Sequence, residues 1–250
     1  MADFLSEIIR KYSPKPNLTP PARIEHWNLL NLDIARDSQT FDIALFRVHS
    51  KEDFLGNIIS HITSSPYSHA ALLLGAGYLI SADAGGIGYD DLYFGDNVID
   101  LFRLNRLLTP DEQAILQAKG KEALGRPYNY WNLLDFPYLS EAQAMQFAGG
   151  TSFICSELVA WMFKAIGVQF IANKEIAREA PADIGMSDIL NYIGTYDHGK
   201  KLEGNFRNQF LGNYQNDLAT FVANFMELFS QVDEYYAEVE KNKKLLIGKD

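Results

Sequence analysis

The chain has a single cysteine, Cys155, and its surroundings are those in which a thiol becomes a nucleophile. Leu158, Val159, Met162 and Ile166 recur at steps of three and four, the spacing of one helix face, and Gly167 is a residue on which helices end. This pattern predicts a helix whose first turn contains Cys155. There the unpaired backbone N–H groups and the positive end of the helix dipole favour a thiolate. The competing reading is a buried structural cysteine, because free cysteine is among the most buried residue types.

A nucleophilic cysteine needs a base to take its proton and a third group to orient that base. Of the five histidines, His26 and His198 fall in extensions, His49 at a strand end and His61 inside a predicted helix. His69 is placed differently. It enters an apolar run, Tyr67-Ser-His-Ala-Ala-Leu-Leu-Leu-Gly75, which Gly75-Ala-Gly77 turns back into Tyr78-Leu-Ile-Ser-Ala-Asp-Ala84. The two runs read as a β-hairpin. Side chains alternate along a strand, so Leu79, Ser81 and Asp83 share one face, and a polar residue there can hold the second ring nitrogen of His69.

The elements that must position these residues follow from the rest of the chain. Asp42–Val48 is a predicted strand, as are Ile87–Leu92 and Val98–Leu104. Ser50-Lys-Glu-Asp53 opens a helix carrying Phe54, Ile58, Ile59 and Ile62 on one face. Thr109-Pro-Asp-Glu112 is a helix start, running to about Leu124 before Gly125-Arg-Pro127. An aromatic stretch, 128–138, leads towards the cysteine helix, and beyond Gly167 come an extended Val168–Ile171 and a predicted short helix at Ser187–Ile193. Residues 1–40 read as an N-terminal arm and linker, with a short helix at 2–12, a proline-rich Ser13–Pro21 that cannot continue it, and apolar residues in 22–40 suited to packing on the main body. Residues 41–195 form the catalytic domain. The composition turns polar from Tyr196 to Asn205, and 196–250 is an extension dominated by one long helix at 208–243. Its stripe from Leu211 through Phe221 to Val239 fits either packing on its own domain or a homodimeric coiled coil.

Composition narrows the function classes. With 250 residues, 47% of them hydrophobic, the chain can bury a sizeable core. A lone cysteine excludes an internal disulfide and a cysteine-rich zinc site. The net charge of −10 argues against a nucleic-acid backbone as the main partner. No run of about 18 apolar residues predicts a transmembrane helix, and the start, with an early acid and no long apolar run, does not read as a secretory signal peptide. The expectation is a cytoplasmic protein or one exported without a cleaved signal.

Taken together, Asp42-Ile-Ala-Leu-Phe-Arg47, Ser65-Pro-Tyr-Ser-His-Ala-Ala-Leu-Leu-Leu-Gly75, Gly77-Tyr-Leu-Ile-Ser-Ala82, Gly125-Arg-Pro-Tyr-Asn-Tyr130 and Phe153-Ile-Cys-Ser-Glu-Leu-Val159 resemble the successive blocks of circularly permuted NlpC/P60 papain-like proteins, the YiiX/YaeF-like amidase group. In ordinary NlpC/P60 enzymes the cysteine helix precedes the histidine strand; in the permuted group, as here, it follows. The resemblance covers about residues 40–195. It implies an α+β fold, a papain-like core whose antiparallel sheet packs on the cysteine helix, with helical N- and C-terminal extensions. It also implies Cys155 as nucleophile, His69 as general base and then acid, and Tyr128 as an oxyanion or substrate contact, with core packing as the alternative for Tyr128. The family commonly carries Glu or another strongly polar residue where Ser81 stands, so the third role falls to Asp83 or to Ser81. Glu157, two residues after the nucleophile, points away from the thiol on a helix and reads as a helix-start acid.

The expected activity is cysteine-dependent amide hydrolysis through a thioester, without a cofactor or metal, on a small amide or peptide such as a cell-wall peptide, including lipid-linked ones. Acyl transfer or lipid deacylation of the lecithin–retinol acyltransferase-like kind is the alternative on the same fold, and a non-catalytic binding module the alternative of a different class.

Overall fold

The computed structural model describes residues 15–20, 32–47, 60, 65–75, 77–92, 98–129, 152–172, 174 and 179–204. The expected helices at 2–12 and 208–243, the C-terminal dimerisation surface, and nearly all of the expected helix after Ser50 lie outside them.

Strand β1 (Ile43–Arg47), buried along its whole length, lies at the centre of a seven-stranded antiparallel sheet. The other strands are β2 (Tyr67–Gly75), β3 (Tyr78–Asp83), β4 (Gly86–Asp91), β5 (Val98–Leu104), β6 (Leu190–Asp197) and β7 (Lys200–Lys201), in the spatial order β4-β3-β2-β1-β5-β6-β7. The predicted hairpin forms, with Ala71 opposite Ser81 and Leu73 opposite Leu79, and Gly77 takes the positive φ its turn requires. The chain crosses from β4 to β5 on the far side of β1, so sequence neighbours become the two wings of one sheet.

Among the described residues, helices α1 (Asp33–Asp37), α2 (Pro110–Ala123), α3 (Cys155–Lys164) and α4 (Pro181–Met186) flank it. The start of α2 is as expected. Thr109 Oγ1 accepts from the Glu112 N–H at 3.2 Å, and Glu112 Oε2 accepts from the Thr109 N–H at 2.8 Å. Helix α3 ends in a Schellman turn, the Val168 N–H reaching Phe163 O and the Gly167 N–H reaching Lys164 O, with Gly167 at φ 74°.

Alternation along the strands divides the apolar residues between the two faces of the sheet. One face buries Ala70, Leu72, Leu74, Ile80 and Ala82 against Leu158, Val159, Met162 and Phe163 of α3 and Leu116 of α2. The other buries Ala44, Phe46, Ala71, Leu73 and Leu79 together with Leu32 and Ile34 of the α1 segment. Residues 32–37, expected within the N-terminal arm, are thus part of the body. So is Asn17, whose carbonyl accepts from the Tyr89 N–H at 2.8 Å and covers the outer edge of β4 beside Arg126, which accepts from Ile87.

The region after 180 differs from expectation. The short helix is not at Ser187–Ile193 but at Pro181–Met186, where Pro181 occupies the first helical turn and Asp183 caps the Ala180 N–H at 2.6 Å. The Ser187 hydroxyl, at the start of the expected helix, donates to Phe170 O at 2.7 Å, and Leu190 onwards pairs with β5. Strand β6 therefore runs across residues 195 and 196 and returns through the His198-Gly199 turn into β7, inside the sheet.

Candidate active site

Cys155 is the first residue of α3, a position at which its backbone N–H has no carbonyl acceptor within the helix. The helix start is held by Glu157, fully buried, whose Oε2 accepts from the Ile154 N–H at 3.3 Å. Glu157 is thus the helix-start acid expected. Cys155 itself is 1% exposed.

His69 is the third residue of β2, beside a bulge: Phe46 faces His69 across the ladder, but Arg47 faces Tyr67, leaving Ser68 as the extra residue. Bulges re-aim side chains. By alternation His69 belongs with Ala71 and Leu73, the face turned away from the body of α3. It meets Cys155 because the bulge lies at the entry of β2 and the cysteine at the very tip of the helix. Phe46 flanks the ring, with centroids 5.4 Å apart.

The structure brings Cys155, His69 and Asp83 together. Cys155 lies close enough to His69 for its charge and a side-chain contact to raise the pKa of the ring, and His69 Nε2 lies 3.5 Å from Asp83 Oδ1. The separation from Asp83 is that of an ion pair and is longer than the hydrogen bond of about 3.2 Å that an orienting residue is expected to make. Ser81, the other candidate for the third role, reaches Asp83: its hydroxyl lies 2.7 Å from Asp83 Oδ2.

Burial is the largest single influence on the His69 pKa and pushes it down. The charges of Asp83 and Cys155, the hydrogen bond to Cys155 and the charge of Asp90 together outweigh it and hold the ring at about 9. At neutral pH His69 carries its proton. Asp90, on β4, is the residue that sequence reasoning missed. Its Oδ2 is also 2.7 Å from Ser81 Oγ, and burial, followed by the bond to and charge of Asp83, raises its pKa to about 6. The signal was available in the Gly85-Gly86 turn, which sets Leu79 opposite Asp90 and hence puts Asp90 on the face of Ser81.

Tyr128 lies beside the cysteine segment, forming an isolated parallel bridge with Phe153, while the Asn129 N–H donates to Phe153 O at 2.9 Å. Its ring is buried in the core that carries α3. The rest of the aromatic stretch, 130–138, lies outside the described residues. Among those residues no group of three or more His, Cys, Asp or Glu side chains is arranged to hold a metal ion, and no helix is long and apolar enough to cross a membrane.

Comparison with solved structures finds several similar chains. The crystal structure of the metalloprotein yiiX from Escherichia coli O157:H7 superposes with a TM-score of 0.43 and 15% identity, covering 64% of this chain and 98% of that one. No family model matches, and no curated protein does.

Proposed function

We propose that the chain is a cysteine-dependent amide hydrolase working through a thioester. The observation that carries this reading is the proximity of Cys155, at a helix tip, to His69, whose Nε2 faces a carboxylate. As the sulfur attacks the amide carbon, the proton shared by the pair is on the His69 ring. Negative charge develops on the carbonyl oxygen, where the Cys155 N–H and the positive end of α3 stabilise it. The His69 imidazolium protonates the leaving amine, the C–N bond breaks and the acyl group remains on Cys155. The ring, now neutral, takes a proton from water as that water attacks the thioester, releasing a carboxylic acid and returning the proton to the free Cys155–His69 pair.

Asp83 contributes a charge that favours imidazolium in both halves of the cycle. Tyr128, two residues from Cys155 through its bridge to Phe153, is the side chain proposed to border the substrate. By the permuted NlpC/P60 resemblance the substrates are small amides or peptides of the cell-wall kind.

The test is intact-protein mass spectrometry after incubation with cell-wall-derived peptides and, separately, with acyl-ester lipids, each quenched in acid. An acyl adduct on Cys155 from the peptides, absent in Cys155→Ala along with turnover, supports the amidase reading. Adducts from the lipids alone point to acyl transfer, and turnover that persists in a folded Cys155→Ala protein overturns the nucleophile.

A further inference from the structure

Ser81 has one hydrogen and two carboxylate neighbours. Its Oγ lies 2.7 Å from Asp83 Oδ2 and 2.7 Å from Asp90 Oδ2, and a hydroxyl donates one hydrogen bond. With both carboxylates charged, one contact is a hydrogen bond and the other presses lone pairs together. Both become hydrogen bonds when a carboxyl brings a second proton. A protonated Asp90 then donates to the Asp83–Ser81 pair, its bond to Asp83 being one of the contacts that raises its pKa, and leaves the Ser81 hydrogen for Asp83 Oδ2. This order leaves the negative charge on Asp83, whose other oxygen, Oδ1, is the one that faces His69 Nε2.

The ladder explains how a residue on the neighbouring strand reaches the site. Ser81 lies opposite Gly88 and Leu79 opposite Asp90, so these positions share a face, and Gly88 offers no side chain to come between Asp90 and Ser81. A side chain at 88 would be blocked, since a Cβ there would stand 2.9 Å from the Asn17 nitrogen.

We propose that Asp90 is a positioning residue of this site: protonated, it fixes Ser81 and keeps the charge of the carboxyl pair on Asp83, and deprotonated, it adds a second charge beside His69. The inference rests on the reading of Cys155, His69 and Asp83 given above. Burial and the neighbouring Asp83 raise the Asp90 pKa to about 6, which places the change just below neutrality. Among the described residues, the titratable groups that bear on Asp90 are Asp83 and His69, and those that bear on His69 are Asp83, Cys155 and Asp90.

The experiment is alkylation of Cys155 by iodoacetamide in the full chain between pH 4.5 and 8, in the wild-type protein and in Asp90→Asn, whose amide donates to Ser81 at every pH. Because the ring is already protonated over this range, the second charge acts on the thiolate by repulsion, and the ratio of wild-type to variant rate should fall about threefold, with a midpoint near pH 6. A flat ratio overturns the proposal. Should Asp90→Asn fail to fold, the ring nitrogens of His69 in the wild-type protein give the same information by NMR: a minor inflection near pH 6 below the main step near 9 is expected, and its absence overturns the proposal. The two readings separate cleanly. If wild-type Cys155 reacts no faster than a free thiol and His69 titrates near its ordinary value, the nucleophilic site itself falls; if Cys155 is activated and the ratio is flat, only the role of Asp90 falls.

Discussion

Asp83 Oδ1 stands 3.5 Å from His69 Nε2 while its Oδ2 is held by the Ser81 hydroxyl at 2.7 Å. The two oxygens of one carboxylate thus divide the work: one anchors the side chain to its own strand and the other presents charge to the ring. Asp83 is 43% exposed and His69 19%, so an unanchored carboxylate here would swing into water and lose most of its effect through screening. Ser81 and Asp83, alternatives for one role when read from sequence, act in series in the structure.

The first prediction concerns reactivity. A thiol beside a histidine that is protonated at neutral pH, at the tip of a helix, should be alkylated by iodoacetamide at pH 7 at least about tenfold faster than a free model thiol. Although Cys155 is 1% exposed, the reagent is small. A native rate at or below that of the free thiol marks a structural cysteine instead.

The second concerns stability and pH. His69 is held at about 9 in the folded chain, against about 6.5 when unfolded. Its contribution is therefore fully present below pH 6.5 and lost as the pH rises through 9. Urea midpoints of wild type and His69→Gln should converge between pH 6.5 and 9.5, and a constant difference across that range contradicts the raised value.

Asp90 works in the same direction at lower pH. An acid raised to about 6 favours the folded state below its unfolded value of 3.8, and that advantage is lost as the pH rises through 6. Asp90→Asn should match wild type near pH 4 and exceed it at pH 7 by on the order of 1 kcal/mol, since Asp90 is partly exposed and solvent screens it. Equal urea midpoints at both pH values would contradict this.

The hairpin and the cysteine helix were legible in the sequence because their signals are local. Glycines bracket one turn, three- and four-residue spacing marks the helix face, and Gly167 ends it. Strand β6 was not legible: Ser187–Ile193 reads as a short helix, and only pairing with β5 and the bond from Ser187 to Phe170 O decide otherwise. The contact between His69 and Cys155 joins residues 86 apart in the chain and was reached through family resemblance, not spacing. Nothing local announced the role of Asp100 either.

That residue carries the fourth prediction. Asp100 is fully buried and accepts from Arg47 at 3.2 and 2.5 Å, from the Tyr67 hydroxyl at 2.5 Å and from the Thr195 hydroxyl. It ties β1, β2, β5 and β6 together, and its partner Tyr67 lies two residues before His69. Asp100→Ala leaves the buried Arg47 guanidinium without its counter-charge and should cost about 3–5 kcal/mol in urea unfolding. A loss under 1 kcal/mol would show that Arg47 finds water when its partner is removed.

The last prediction separates the members of the polar chain behind His69. Asp83→Asn keeps the shape and a hydrogen-bonding group but removes the charge nearest the ring, so turnover of any accepted amide should fall by a factor on the order of 100 or more, with kcat affected more than KM. Ser81→Ala leaves that charge in place and removes only its anchor. The loss should be smaller, about tenfold, and should deepen with added salt, because an unanchored carboxylate is more easily screened. The double variant should then be no worse than Asp83→Asn alone, since an anchor has nothing to hold once the charge is gone. Additive losses in the double variant would show that Ser81 acts on His69 by itself. Were Asp83→Asn to retain full turnover while Cys155→Ala and His69→Gln abolish it, the site would be a cysteine–histidine dyad and the carboxylates bystanders.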